Sequence, residues 1–159
     1  MEEKKSRIVV HTIDPVFESN SKILILGTMP SVKSREHGFF YMHPQNIFWR
    51  ILSDVLSSEF PSSIEDKKRL LLENRIALWD VLKSCEIKGS SDSSIKKAVP
   101  NDIPGLLKKT DIQAVFTTGR TATSLFRKYF SKTVGMESIY LPSTSPANNT
   151  ISYEEKLGQ

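Results

Sequence analysis

The chain has 159 residues, of which 38% are hydrophobic and 25% charged, and a formal net charge of +4. That is the size of one domain around a single core, and no apolar run approaches the roughly 20 residues needed to cross a bilayer. A single cysteine, Cys85, excludes an internal disulfide and any cysteine-rich zinc or iron–sulfur site within one chain, and reads as a packing or loop thiol.

His11, His37 and His43 do not have the spacing of a metal site, so neither a metal nor an organic cofactor is implied. The positive charge favours a polyanionic partner only weakly, because many basic proteins bind no nucleic acid. The N-terminal residues lead into a short apolar stretch, Ile8 to Val10, without the longer apolar region and cleavage site of a signal peptide. An intracellular protein is therefore expected, associated with the nucleoid if the source is prokaryotic.

In chain order, residues 1–7 are polar and expected to be frayed. Asp14 to Phe17 reads as an extended arm, since Pro15 biases its predecessor away from helix. Lys22 to Gly27 is a continuous apolar run ending in glycine, the pattern of a strand buried on both faces. A Ser-rich loop follows, then Asn46 to Leu56 with apolar residues at helical spacing. A second helix is predicted from Ile64 to Glu73, with Ser63 as its N-cap.

Ile76 to Val81 predicts a second buried strand, and Lys83 to Ser94 a polar loop. Asn101 starts a short helix ending near Lys109; Ile112 to Thr117 is a third strand; Thr121 to Phe130 is a helix. Ser138 to Leu141 is a fourth strand, and a final short helix is expected from about Ser152. Strands alternating with helices predict a single α/β domain over 1–159 with a mainly parallel sheet. In such a fold the site lies beyond the C-terminal strand ends, here the loops after Leu26, Val81, Thr117 and Leu141.

The first of these loops reads Gly27-Thr28-Met29-Pro30-Ser31, then Gly38-Phe39-Phe40-Tyr41-Met42-His43-Pro44-Gln45-Asn46-Ile47-Phe48-Trp49. A glycine at a strand end lets backbone approach a ligand closely, loop aromatics can stack on a flat base, and N–H groups at a helix start can meet an anion. Taken singly these residues have plainer readings: Phe48 and Trp49 as core, Asn46 as a helix N-cap. No Gly-Lys-Ser/Thr follows, so this is not a phosphate loop, and no dinucleotide fingerprint is present.

Together with Leu141-Pro142-Ser143-Thr144-Ser145-Pro146-Ala147-Asn148, these segments resemble the two motifs of the uracil-DNA glycosylase superfamily. Gly-x-Met-Pro-Ser combined with Ser-Thr-Ser-Pro-Ala-Asn, and Trp79-Asp80-Val81-Leu82-x-Ser84-Cys85, are most similar to its hypoxanthine-DNA glycosylase family. The resemblance runs from about Asp14 to Lys156. It implies a three-layer α/β/α sandwich with an about four-stranded central sheet. It also implies an enzyme that flips a deaminated base, most readily hypoxanthine, out of DNA and hydrolyses its glycosidic bond.

Most of the superfamily carries Asp or Asn where Met29 stands, to orient the attacking water, and a thioether does that poorly. The hypoxanthine branch assigns the catalytic role to the asparagine of His-Pro-x-Asn, here Asn46, with His43 as a further candidate donor. The resemblance makes Gly27, Thr28, Met29, Pro30, Ser31, Tyr41 and Asp80 the base pocket. Tyr41 either stacks on the base or closes the loop over the core. Asp80 either accepts from the hypoxanthine N1–H or braces the loop after it. Ser143, Thr144, Ser145, Pro146, Ala147 and Asn148 would contact DNA, although Asn148 also reads as the start of the last helix.

No lysine stands in a Schiff-base setting, so simple hydrolysis to an abasic site is expected. Lys108, Lys109, Arg120, Arg127, Lys128 and Lys132 either attract phosphates or form solvated helix faces. The expected partner is DNA bearing a deaminated base, with no membrane and no metal, bound by a monomer. Two alternatives stay open: a mismatch-specific uracil or thymine glycosylase, and a nucleic-acid-binding module without catalysis.

Overall fold

The computed structural model describes residues 7–10, 13–29, 34, 36, 38–42, 46–87 and 96–144. Four strands, β2 (Ile23–Gly27), β3 (Ile76–Asp80), β6 (Ala114–Thr118) and β7 (Ile139–Leu141), form a sheet in the order β3-β2-β6-β7. Every pairing in it is parallel. Parallel pairing requires crossovers, and helices supply them. Helices α1 (Phe48–Val55) and α2 (Ile64–Glu73) link β2 to β3, α3 (Ile103–Lys108) precedes β6, and α4 (Arg120–Tyr129) followed by a short α5 (Ser131–Val134) links β6 to β7.

Strand alternation divides the core into two layers. Leu24, Leu26, Ala77 and Val115 face α3 and α4, packing on Ile103, Leu106, Ala122, Phe126 and Phe130. Ile25, Ile76 and Leu78 face the other way, onto Phe48, Trp49, Leu52, Leu70 and Leu71 of α1 and α2. Burial on both faces explains why β2 reads as an unbroken apolar run. The α/β/α sandwich expected from the sequence is the fold.

Local signals set the element ends. The Ser63 side chain accepts from the Asp66 N–H and caps α2, and Asp102 does the same for α3 through Gly105. The arm at Val16 exchanges two backbone bonds of 2.9 Å with Leu78 and covers the outer edge of β3.

Two expectations need correction. A second, antiparallel sheet is present, in which β4 (Leu82–Ile87) lies between β1 (Arg7–Val10) and β5 (Lys96–Pro100). The expected polar loop therefore begins as a strand through Ile87, and Arg7, placed in the frayed terminus, pairs with Ile87. The helix expected from Ser152 lies outside the described residues.

Leu24 and Leu26 are both fully buried. Leu26→Ala is expected to lower unfolding free energy by about 3 kcal/mol, and Ser63→Ala by about 1 kcal/mol. Urea titration followed by circular dichroism measures both.

Candidate active site

The register of the parallel sheet aligns the ends of its strands. Gly27 pairs with Asp80, Leu26 with Thr117, and Thr118 with Leu141, so Asp80, Gly27, Thr118 and Leu141 form one row across the C-terminal edge. From β2 the chain crosses to β3 on one side, and from β6 to β7 on the other. The crevice between the ends of β2 and β6 is therefore the topological switch point, where open α/β sheets bind ligands.

The loop after β2 is tied down on both sides of this crevice. Val81 N donates to Gly27 O at 2.8 Å and Leu82 N to Thr28 O at 3.1 Å, carrying the β2–β3 pairing past the strand ends. Asn101 Nδ2 donates to Asp80 O and Leu82 O, at 2.9 and 3.1 Å, and braces the corner that holds Asp80. Met42 N donates to Ser34 Oγ at 2.9 Å and folds the aromatic segment back. Phe39 and Phe40 then enter the core, and Trp49 Nε1 donates to Phe40 O at 3.1 Å. Phe48 and Trp49 are core residues as well.

Tyr41 alone of these loop aromatics stays half-buried. One ring face lies on Phe48, with centroids 4.0 Å apart and planes at 16°. Any base stacking on Tyr41 must use the opposite face. Its backbone is left-handed, φ 54°, which is strained for an aromatic residue. Its hydroxyl lies 3.2 Å from Thr118 Oγ1. Burial first, and then the Asp80 charge, push the phenol well above its ordinary range.

Gly27 permits this arrangement. A Cβ there would lie 2.7 Å from Asp80 Oδ1 and 3.1 Å from the Tyr41 hydroxyl, closer than side chains tolerate without displacement. Asp80 itself is 4% exposed. Thr28 is buried, and Met29 packs on the core layer of Leu24 and Leu26.

Asn46 is half-buried, and its Oδ1 accepts from Phe48 N at 2.9 Å. Asn46 is not the N-cap, which is Ile47 without a side-chain cap bond, but its amide is oriented by the helix start from one residue earlier, with its Nδ2 donors turned away from that bond. The next residue joins the two motif loops: Ile47 N donates to Thr144 O at 3.2 Å. Gly119 N donates to Leu141 O at 2.8 Å, and Ser143 Cβ lies 3.5 Å from the position of a Cβ on Gly119. The structure thus brings Gly27, Thr28, Tyr41 and Asp80 to one edge, with Asn46 at the start of the helix packed on Tyr41, Thr144 bonded to the neighbouring Ile47 and Ser143 beside Gly119. Thr144 is buried, and its hydroxyl has no hydrogen-bond partner among the described residues. Pro30, Ser31, His43, Ser145, Pro146, Ala147 and Asn148 lie outside the described residues.

The basic residues divide by topology. Arg120 opens α4 at the site edge, whereas Lys108 closes α3 and Arg127 and Lys128 close α4 at the far edge. Sequence reasoning missed Thr118 and Asn101, which belong to no motif. It also missed Lys67, whose Nζ lies 3.4 Å from Met42 Sδ and 5.6 Å from the Trp49 ring centroid. Burial lowers the Lys67 pKa.

The model of the uracil DNA glycosylase superfamily matches residues 15–156. The chain belongs to that superfamily. Within it, the chain is 34% identical over 139 residues to a protein of Methanosarcina acetivorans named hypoxanthine DNA glycosylase, covering 86% of this chain and 87% of the relative. It is 32% identical over 148 residues to a Methanosarcina barkeri protein of the same name, covering 91% of each. A solution NMR structure of a Methanosarcina acetivorans protein, assigned as a uracil DNA glycosylase, matches with a TM-score of 0.81 at 32% identity, covering 94% of this chain and 92% of that one. The α/β fold is shared with that solved structure. Among the described residues, no helix is long and apolar enough to cross a membrane.

The Tyr41 phenol stays protonated in the fold at pH values where an unfolded tyrosine, with a pKa of about 10, has ionised. Its contribution to stability is complete below that value and is lost as pH rises toward the folded pKa. Stability is expected to fall in alkali above about pH 10, and Tyr41→Phe to flatten that fall. Denaturation midpoints across the alkaline range measure the slope.

Proposed function

We propose that this chain is a monofunctional DNA glycosylase that removes hypoxanthine from deoxyinosine, leaving an abasic site. The carrying observation is the close approach of Tyr41 and Asp80 over Gly27 at the switch point, with Asn46 bonded to the Phe48 that stacks on Tyr41 and Thr144 bonded to Ile47. The names of the two Methanosarcina relatives support the choice of base.

The glycosidic carbon is shielded in duplex DNA, so the nucleotide must be everted at a cost of about a few kcal/mol, least for a mispaired base. The base then enters against the free face of Tyr41. The Asp80 carboxylate accepts the hypoxanthine N1–H. Adenine presents a lone pair at the same atom, which a carboxylate repels, so the intact base is rejected.

Cleavage of the C1′–N9 bond leaves its electron pair on the base and oxocarbenium character on the sugar. Water adds to C1′, and its proton completes the departing base. Met29 does not orient that water. Asn46 has its oxygen committed to Phe48 N–H, so its Nδ2 acts as a donor toward the negative charge growing on the base. His43 is a second donor in this scheme. Ser143, Thr144, Ser145 and Asn148 hold phosphates that position the strand without reading it, and Pro146-Ala147 fills the vacated stack. The protein acts as a monomer.

Duplexes carrying inosine, uracil or xanthine, incubated with the protein and then treated with alkali, test this reading. Inosine is expected to be released fastest. Release of uracil alone would favour the mismatch-specific alternative, and binding with no release of any base would favour a non-catalytic module. Asn46→Ala is expected to slow single-turnover release of hypoxanthine about 100-fold while leaving binding of the inosine duplex intact, the scale of losing one preorganised donor.

A further inference from the structure

Three oxygens converge on the space that Gly27 leaves by having no side chain. A Cβ there would lie 2.7 Å from Asp80 Oδ1, 3.1 Å from the Tyr41 hydroxyl and 3.7 Å from Thr118 Oγ1. They come from the end of β3, the loop after β2 and the end of β6. Thr118 belongs to no sequence motif, yet its hydroxyl is hydrogen-bonded both to the loop, at Tyr41, and to the central strand, at Leu26.

The protons on these groups can be counted. Thr118 carries one hydroxyl proton, which it donates to Leu26 O at 3.4 Å. A hydroxyl that has given its proton can only accept elsewhere. With the Thr118 proton on Leu26 O, the 3.2 Å contact between Tyr41 and Thr118, in which either oxygen can donate, takes its proton from the phenol. The phenol also has only one, so its oxygen retains lone pairs alone, beside the Asp80 carboxylate. The ring cannot readily turn away, because it is stacked on Phe48 and carried on a left-handed backbone.

We propose that Thr118 is a positioning residue which, by accepting the Tyr41 proton, makes the Tyr41 oxygen a fixed acceptor beside Asp80, so that this crevice selects bases bearing a ring N–H. The proposal rests on the glycosylase reading and deepens it. Selection is shared between a carboxylate and a phenol oxygen whose polarity is set from β6. With Thr118 removed, the phenol proton is free to rotate toward the base, and a base presenting a lone pair is no longer refused by that oxygen.

Thr118→Val keeps the branched shape and removes the hydroxyl; Thr118→Ser keeps the hydroxyl. Each is compared with the parent on duplexes carrying deoxyinosine or the purine deoxyriboside, which presents an N1 lone pair and no N1–H. The readouts are the inosine-to-purine ratio of single-turnover rates and the same ratio of binding affinities. Thr118→Val is expected to lower both ratios roughly ten-fold, the size of one hydrogen bond, and Thr118→Ser to restore them. A packing role would weaken both substrates together and leave the ratios unchanged, which would overturn the proposal, as would a Thr118→Ser variant indistinguishable from Thr118→Val. Absence of base release by the parent would sink the glycosylase reading instead, while the binding ratio would still judge Thr118.

Discussion

The site depends on one constraint: the central strand must end in a residue without a side chain. Gly27 lies between Asp80 and Thr118 in the edge row of the sheet, and Tyr41 reaches over it from the loop. Any Cβ at that position would press on the buried Asp80 carboxylate and the Tyr41 hydroxyl together. Neither can retreat cheaply. Asp80 sits at a corner braced by Asn101, and Tyr41 is wedged on Phe48. The glycine therefore serves a close approach between side chains as well as a turn.

Around that point the fold separates rigid support from chemistry. The two apolar layers hold β2, β3 and β6 in register, and the register sets the order Asp80, Gly27, Thr118. Loop geometry does the rest. The Asn46 amide is oriented by the first turn of α1, and Ile47 binds the start of the Ser-Thr loop through backbone alone.

Much of this was legible in the sequence. The run at Lys22–Gly27, the helical spacing after Asn46 and the Ser63 cap each gave an element close to its observed bounds. Of the motif residues that the structure describes, Gly27, Tyr41 and Asp80 lie together at one sheet edge. The second sheet was not legible, because β4 and β5 carry charged and polar residues in short antiparallel strands without a clean alternation. Thr118 was hidden for a different reason. A threonine at a strand end is ordinary β-sheet composition, and only the register places its hydroxyl under Tyr41. For Tyr41 the structure shows the loop-closing reading: its ring is stacked on Phe48.

The most direct measurement is a structure of the chain bound to duplex DNA carrying 2′-fluoro-deoxyinosine, whose fluorine resists oxocarbenium formation and keeps the glycosidic bond intact. The account requires the hypoxanthine out of the helix and lying along Tyr41, with its N1–H on Asp80 and Asn46 Nδ2 within hydrogen-bond distance of the base. A hypoxanthine still stacked in the duplex, or everted into a place lined by neither Asp80 nor Asn46, would contradict it.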